Sequence, residues 1–296
     1  MIKYKVKVGF IGLGIMGQAF TKCLVNGGFD VFGYDILSHN VEKAKKHGVI
    51  GTLSPKDTVN KSDVVLTSVT TTNDLERVVF GDKGVTKGKC NGKILIDFST
   101  TSVPRTREMS EKLEQNSSMK WIDAPVSGGP DSAEIGELAI LVGGDEKDIL
   151  KVDQILQTVS ARFTRFGSVG SGQVAKMVNQ ILVLNNFVII AEALALAEAG
   201  GLDADKIPLA FSDGQAGSNL LNIAMPRMVS RDFTPKGYAR QILKDLDSLH
   251  DLAKTLESPI PMSDHAASLY RILNIKGNGE LDATAIFKLY DKVHTL

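Results

Sequence analysis

An open parallel α/β sheet domain followed by an all-helical domain, the two joined by a long helix, is the fold class that three observations predict. A strand-like run from Lys5 to Ile11 feeds directly into Gly12-Leu13-Gly14-Ile15-Met16-Gly17, and a helix and a second strand follow. Strand and helix patterns then alternate as far as Phe166, the signature of parallel βαβ units. From Gln173 onward the pattern reads almost entirely as helix, beginning with an apolar run between Gly167 and Gly200.

Each element has a local reason. Lys5 to Ile11 becomes continuously apolar, as suits a strand buried on both faces. Gln18 to Val25 reads as helix ended by Gly27-Gly28, and Phe29 to Tyr34 as a second strand closed by Asp35. Glycine makes up 28 of the 296 residues, so the G-x-G-x-x-G spacing alone is a weak signal. The strand, turn, helix, strand, acid context makes it a Rossmann-type dinucleotide site. Gly12 permits the tight turn, Gly14 lets backbone approach a pyrophosphate, and Gly17 allows helix to pack on strand. Leu13, Ile15 and Met16 complete the loop, and the helix amino end supplies N–H groups for phosphate. Asp35 is expected to accept hydrogen bonds from the adenosine ribose hydroxyls. Its carboxylate would repel a 2′-phosphate, and Ile36, Leu37 and Ser38 offer no arginine to receive one, so NAD is favoured over NADP. His39 and nearby lysines keep NADP open.

The alternation continues with a helix from Val41 to His47, a strand from Asp63 to Val69, a helical turn from Leu75 to Phe80 and a strand from Lys93 to Phe98. Ser99, Thr100, Thr101, Ser102 and Pro104 are expected to cap a helix running to about Gln115. Val69, Thr70 and Thr100 fall at strand ends, where ligands of such sheets lie, and are assigned to the cofactor groove. Capping serves equally well for any single hydroxyl. A strand from Met119 to Ala124 runs into Ser127-Gly128-Gly129, whose free amides and one hydroxyl suit a carboxylate or oxyanion, or simply a tight loop. Leu138 to Val142 and Arg162 to Phe166 are further strands, with one helix from Lys147 to Val159 between them.

The long helix, read as Val174 to Ala199, would extend roughly 39 Å at about 1.5 Å per residue. Lys176, Asn179 and Gln180 share one face of it at i, i+3 and i+4. Helices are expected at Asp203 to Phe211, Leu220 to Met228, Pro235 to Glu257, Met262 to Ile275 and Ala283 to Val293. Gly214, Gly217, Ser218 and Asn219 form a connection between two of them. The domains are thus 1–168, dinucleotide-binding, and 169–296, helical. In the fourth helix Lys244-Asp245 reads locally as a solvated charge pair.

Bulk properties narrow the class. With 34 basic against 34 acidic residues and no charged arm, neither nucleic acid nor an anionic membrane is an expected partner. The amino terminus shows no signal-peptide pattern, so a cytoplasmic location is expected. The apolar stretch from Met177 is interrupted by Asn179, Gln180, Asn185, Asn186, Glu192 and Glu198, which favours a central protein helix over a lipid span. Cys23 and Cys90 form no spaced motif and read as reduced thiols. The histidines at 39, 47, 250, 265 and 294 show no metal spacing, and surface or packing roles are expected for them.

Four stretches together, GFIGLGIMG from Gly9, DAPVSGG from Asp123, GSGQVAKMVNQ from Gly170 and KDL from Lys244, resemble the β-hydroxyacid dehydrogenase family. This group contains 3-hydroxyisobutyrate dehydrogenase and tartronate semialdehyde reductase, and the resemblance spans essentially the whole chain. It implies a helical domain often used in dimerisation, hence a homodimer or homotetramer, and an active site between the domains. It further implies Lys176 as the catalytic acid/base, Ser127, Gly128 and Gly129 as substrate anchors, Asn179 and Gln180 on the substrate side, and Lys244 beside the cofactor. Gln180 stands where many members carry a second asparagine, and Ser132 and Glu137 depart from the usual glycine and threonine. The expected reaction moves hydride between NAD (or NADP) and a small 3-hydroxy acid or related short hydroxy acid. A lysine of ordinary pKa near 10.4 is a poor base at neutral pH, so burial or nearby positive charge is expected to lower it. The alternatives are a semialdehyde reductase working mainly with NADPH and an inactive nucleotide-sensing module on the same fold.

Overall fold

The computed structural model describes residues 6–290; Lys5, the expected start of the first strand, and His294 with the end of the last expected helix at 291–293 lie outside the described residues. The chain divides into two compact units, Met1–Lys176 and Met177–Leu296. That division falls inside one helix, later than the change in pattern at 168/169.

The first unit is built on a nine-stranded sheet. Its elements in order are β1 (Lys7–Ile11), α1 (Ile15–Asn26), β2 (Asp30–Tyr34), α2 (Ser38–Lys45), β3 (Ile50–Gly51), α3 (Pro55–Lys61), β4 (Val64–Thr67), α4 (Thr72–Phe80), β5 (Ile94–Asp97), α5 (Val103–Ser117) and β6 (Lys120–Asp123). After these come β7 (Val126–Ser127), α6 (Gly129–Glu134), β8 (Leu138–Gly143), α7 (Glu146–Lys151), α8 (Asp153–Thr158) and β9 (Ser160–Gly167). Strand order is β3-β2-β1-β4-β5-β6-β8-β7, with β9 on β8. Pairing from β3 through β6 is parallel, and β8 runs antiparallel to β6 and β7.

Central strands β4 and β5 are buried at every position, which explains their unbroken apolar runs. Alternate residues serve opposite faces. Val8, Phe10, Leu66, Ile96 and Ile122 join one core, in which Phe20 stacks on Phe98 with ring centroids 4.6 Å apart. Val65, Leu95 and Trp121 join the other with Met109 and Leu113 of α5.

Several elements differ from expectation. The helix expected from Lys147 to Val159 is broken at Val152 (φ −112°, ψ 8°), which ends α7 and opens α8. Val152 is itself core, and the break lets Ile149, Ile155 and Leu156 reach the same core. Helix α3 begins at a signal the sequence reading passed over: Ser54 Oγ accepts the Asp57 amide at 3.1 Å, with Pro55 in the first turn. Ser102 occupies the N-cap of α5, but its side chain makes no capping bond.

Helix α9 (Ser171–Ala199) has 29 residues and starts earlier than expected. By length and composition it is apolar enough to cross a membrane, yet Leu184, Val188, Ala191 and Leu194 lie in the core of the second unit. That unit continues with a 3-10 turn (Ala204–Lys206), α10 (Ile207–Phe211), α11 (Asn219–Val229), α12 (Ala239–Thr255), α13 (Pro261–Leu273) and a 3-10 segment (Ala283–Leu289). Residues 235–238, expected to be helical, are not. The Asp282 carboxylate accepts the amides of Lys236 at 2.7 Å and Gly237 at 3.1 Å, and Tyr238 bridges to Asp282, which holds that stretch out of the helix. Arg227 neutralises the same buried carboxylate at 2.9 Å. The helix expected to reach Ile275 ends at Leu273 and gives way to a π-turn, where Gly277 takes φ 81°.

Candidate active site

The sheet order reverses between β1 and β4, and ligands of such sheets lie beyond the carboxyl ends of strands at that reversal. The loops carrying Gly12–Gly17 and Val69–Thr70 leave from those ends. Gly12 takes φ +96°, and a Cβ there would lie 2.1 Å from Ser68 O; at Gly17 it would lie 2.0 Å from Gly12 O. Neither position admits a side chain. At Gly14 a Cβ would meet nothing within 4 Å, and this glycine is the N-cap of α1, with no side chain serving the first amides. An open, uncapped helix amino end fits the pyrophosphate of a nicotinamide dinucleotide.

Both Asp35 oxygens hold backbone of this site. Leu13 N donates to Oδ2 at 2.6 Å and Leu37 N to Oδ1 at 2.8 Å. A carboxylate accepts about four hydrogen bonds, so acceptor capacity remains for ribose hydroxyls. The Leu13 amide is committed to Asp35, and its side chain is buried in the core. Ile15 is exposed and Met16 half-buried. Val69 donates its amide to Ser99 Oγ at 2.9 Å, while Thr70 is exposed and Thr100 half-buried. The hydroxyl of Ser99 thus braces one ligand loop against another and caps no helix.

Ser127 ends short β7 and Gly129 opens α6, with Gly128 at φ +135° and Gly129 at φ +74°. At Gly129 a Cβ would meet nothing within 4 Å. Lys176 is 9% exposed, and its Nζ donates to Val126 O at 2.9 Å. The structure therefore brings the lysine head to the backbone immediately before Ser127. Glu137 is exposed on the chain leading into β8.

Beneath these loops two carboxylates are fully buried side by side, since Asp97 and Asp123 are register partners at the ends of β5 and β6. Thr67 Oγ1 donates to Asp97 Oδ1 at 2.8 Å and Ser99 N donates to it at 3.1 Å, while Oδ2 has no partner. Burial pushes its pKa up to about 7, with the Asp123 charge adding to the rise. Asp123 Oδ1 accepts Gly170 N at 2.7 Å and Oδ2 accepts Gln173 N at 2.9 Å, so it caps α9. Burial raises its pKa to about 6 against those hydrogen bonds. Sequence reasoning gave neither Asp123 nor Gln173 a role, although each sits inside a motif it singled out.

In the second unit Asn179 is half-buried and Gln180 buried. Gln180, expected on the substrate side, donates its amide to Asp245 Oδ2 at 2.6 Å. Lys244 Nζ lies 3.0 Å from Asp245 Oδ1, close enough for an ion pair though not aligned as a hydrogen bond. The Asp245 side chain is 14% exposed, so this pair is not the solvated one its local pattern suggests. Of the histidines, His47 bonds Thr21 Oγ1 at 3.0 Å and His250 pairs with Asp264 at 2.9 Å. Among the described residues no cluster of His, Cys, Asp or Glu could hold a metal.

Comparison with known proteins adds to this geometry. The family profile for the NAD binding domain of 6-phosphogluconate dehydrogenase matches residues 7–168. That for the NAD-binding domain of NADP-dependent 3-hydroxyisobutyrate dehydrogenase matches residues 170–290. The chain is 31% identical to 2-hydroxy-3-oxopropionate reductase of Escherichia coli, covering 95% of this chain and 96% of that one. It is 31% identical to mitochondrial 3-hydroxyisobutyrate dehydrogenase of Rattus norvegicus, covering 96% and 87% respectively. A structure of Mycobacterium tuberculosis 3-hydroxyisobutyrate dehydrogenase with L-serine superposes with a TM-score of 0.87 at 28% identity, covering 97% of this chain and 100% of that one.

The buried carboxylates set a pH dependence. Asp97 keeps its proton in the folded protein up to about 7, whereas the unfolded chain releases it near the ordinary value of 3.8. Between those values folding takes up a proton, so stability falls as pH rises, by up to about 1.4 kcal/mol per pH unit, and the loss is complete above about 7. Asp97→Asn removes this term. In chemical denaturation at pH 5 and pH 8, the stability lost between the two is expected to shrink by about 2–3 kcal/mol in the variant. An unchanged difference would mean that Asp97 is ionised throughout.

Proposed function

Since the chain belongs to the β-hydroxyacid dehydrogenase family of NAD(P)-dependent oxidoreductases, we propose that Lys176 is its general acid/base and that its substrate is a small 3-hydroxy acid or related short hydroxy acid. The observation that carries this reading is the Lys176 Nζ held 2.9 Å from Val126 O, next to the loop that anchors substrate. When bound, the nicotinamide accepts or supplies the hydride. The chain's residues handle the proton and the carboxylate. In oxidation Lys176 Nζ takes the proton from the substrate hydroxyl; in reduction it returns a proton to the carbonyl oxygen and stabilises negative charge building there. Ser127 Oγ and the amides of Gly128 and Gly129 receive the carboxylate. L-Serine, bound by the M. tuberculosis relative, is itself a short 3-hydroxy carboxylate and supports this substrate class.

Likeness to a 2-hydroxy-3-oxopropionate reductase favours a second direction, reduction of a short semialdehyde acid in the same site. Microscopic reversibility assigns the same residues to both directions. NAD is the preferred carrier, because the Asp35 carboxylate meets a 2′-phosphate with like charge. A stripe of exposed apolar residues on α9, Val178 (55%), Leu182 (62%), Ile189 (48%) and Leu196 (76%), supports assembly into a homodimer or homotetramer. Sedimentation at micromolar concentration is expected to show such an assembly, and a monomer would refute it.

Lys176→Ala is expected to lower turnover by about 10²-fold or more while nicotinamide binding survives; near-normal turnover with NAD across a panel of short 3-hydroxy acids would sink the assignment. Asp35→Asn keeps one acceptor for the loop amides and removes the charge. Its preference for NAD over NADP, read as a ratio of kcat/KM values, is expected to fall about tenfold, and an unchanged ratio would count against the ribose role.

A further inference from the structure

One side chain of α9 holds the loop after β5 at two points. Gln173 is fully buried in the first turn of α9, with Nε2 donating to Ser99 O at 2.8 Å and Oε1 accepting the Thr101 amide at 3.1 Å. Its own backbone amide donates to Asp123 Oδ2 at 2.9 Å. Ser99 in turn receives the Val69 amide on its hydroxyl, which joins the loop after β4 to the loop after β5. A side-chain amide offers a donor and an acceptor together, and Gln173 uses both on the two polar groups that bracket Thr100.

The fit leaves no slack. A Cβ on Gly172 would lie 2.3 Å from Leu141 O and 2.8 Å from Asp123 Oδ2, and one on Gly143 would lie 2.5 Å from Asp123 Oδ1. The first turn of α9 is therefore pressed on the sheet, with its angle fixed by the Asp123 carboxylate and its rotation by the Gln173 amide. Lys176 follows at i+3 on the same helical face, so a rotation of the turn about the helix axis carries Nζ away from Val126 O. Resting on the reading of Lys176 as acid/base, we propose that Gln173 is a positioning residue. It locks the lysine to the loops after β4 and β5, so the proton-handling group and the cofactor-side loops keep one geometry.

The test is a double-mutant cycle on the full chain. Gln173→Met removes both hydrogen bonds at similar volume. In the Lys176 background it is expected to lower kcat about 10–100-fold, with the KM for 3-hydroxyisobutyrate changed less than about threefold. In the Lys176→Ala background the same change is expected to lower residual turnover less than about twofold, because a residue acting through the lysine has nothing left to position. Equal losses in both backgrounds, or a wild-type kcat in Gln173→Met, would overturn the proposal. If Gln173→Met does not fold, Gln173→Leu carries the same cycle, since it too removes both hydrogen bonds and brings no ionisable group into the site. Full turnover in Lys176→Ala alone is a different failure, that of the acid/base reading.

Discussion

The first turn of the long helix is anchored by one buried carboxylate. Asp123, wholly enclosed at the end of β6, receives the Gly170 and Gln173 amides that open α9. Burying a charge without partners is expensive, and an uncapped helix amino end in the same place would leave N–H groups without acceptors. Together the two defects offset one another in part, because the carboxylate supplies the acceptors and the helix dipole a favourable potential, while burial still holds the pKa up at about 6. The glycines at 143 and 172 follow from this arrangement, since either Cβ would occupy space that the carboxylate and the helix backbone already fill.

From that anchor outward, polar side chains at the strand ends are spent on one another before any ligand arrives. Thr67 and the Ser99 amide serve Asp97, the Ser99 hydroxyl serves Val69, Gln173 serves Ser99 and Thr101, and Asp35 serves Leu13 and Leu37. Such bonds hold loop backbone in place ahead of binding, which lowers the ordering entropy that binding must meet. They also show why hydroxyls at strand ends are poor guides to ligand contact: the same residue type that could touch a cofactor is the one that fixes a loop. The unpartnered Oδ2 of Asp97 is the exception in this network, and burial answers it by keeping the proton on to about pH 7.

Most of the sheet was legible because periodicity reports burial directly. The runs at 64–67 and 94–97 are apolar throughout since both faces of those strands are covered, and the glycine loop announces its turn through positions where no Cβ fits. What escaped the sequence depends on partners far along the chain. Residues 235–238 resemble helix until Asp282 claims their amides, and the break at Val152 exists because one core lies on both sides of it. Gln180 shares a helical face with Lys176, but only the fold reveals that Asp245 holds its amide. In each case a tertiary hydrogen bond or core contact, worth about 1 kcal/mol or more, outweighs a local preference of a few tenths.

The lysine itself runs against local preference. Lys176 stands in the second turn of α9, toward the helix end whose dipole disfavours cations, and it is almost completely enclosed, where long charged side chains are rarely found. Helix stability gives no reason for it, as an alanine there would have better propensity and no desolvation. Three built features offset that placement: the Asp123 carboxylate at the helix start, the Val126 carbonyl at Nζ, and the Gln173 amide that sets the rotation of the turn. A chain that surrounds a locally unfavourable lysine with this much dedicated structure is maintaining the position of its amino group, and that position borders the loop formed by Ser127, Gly128 and Gly129.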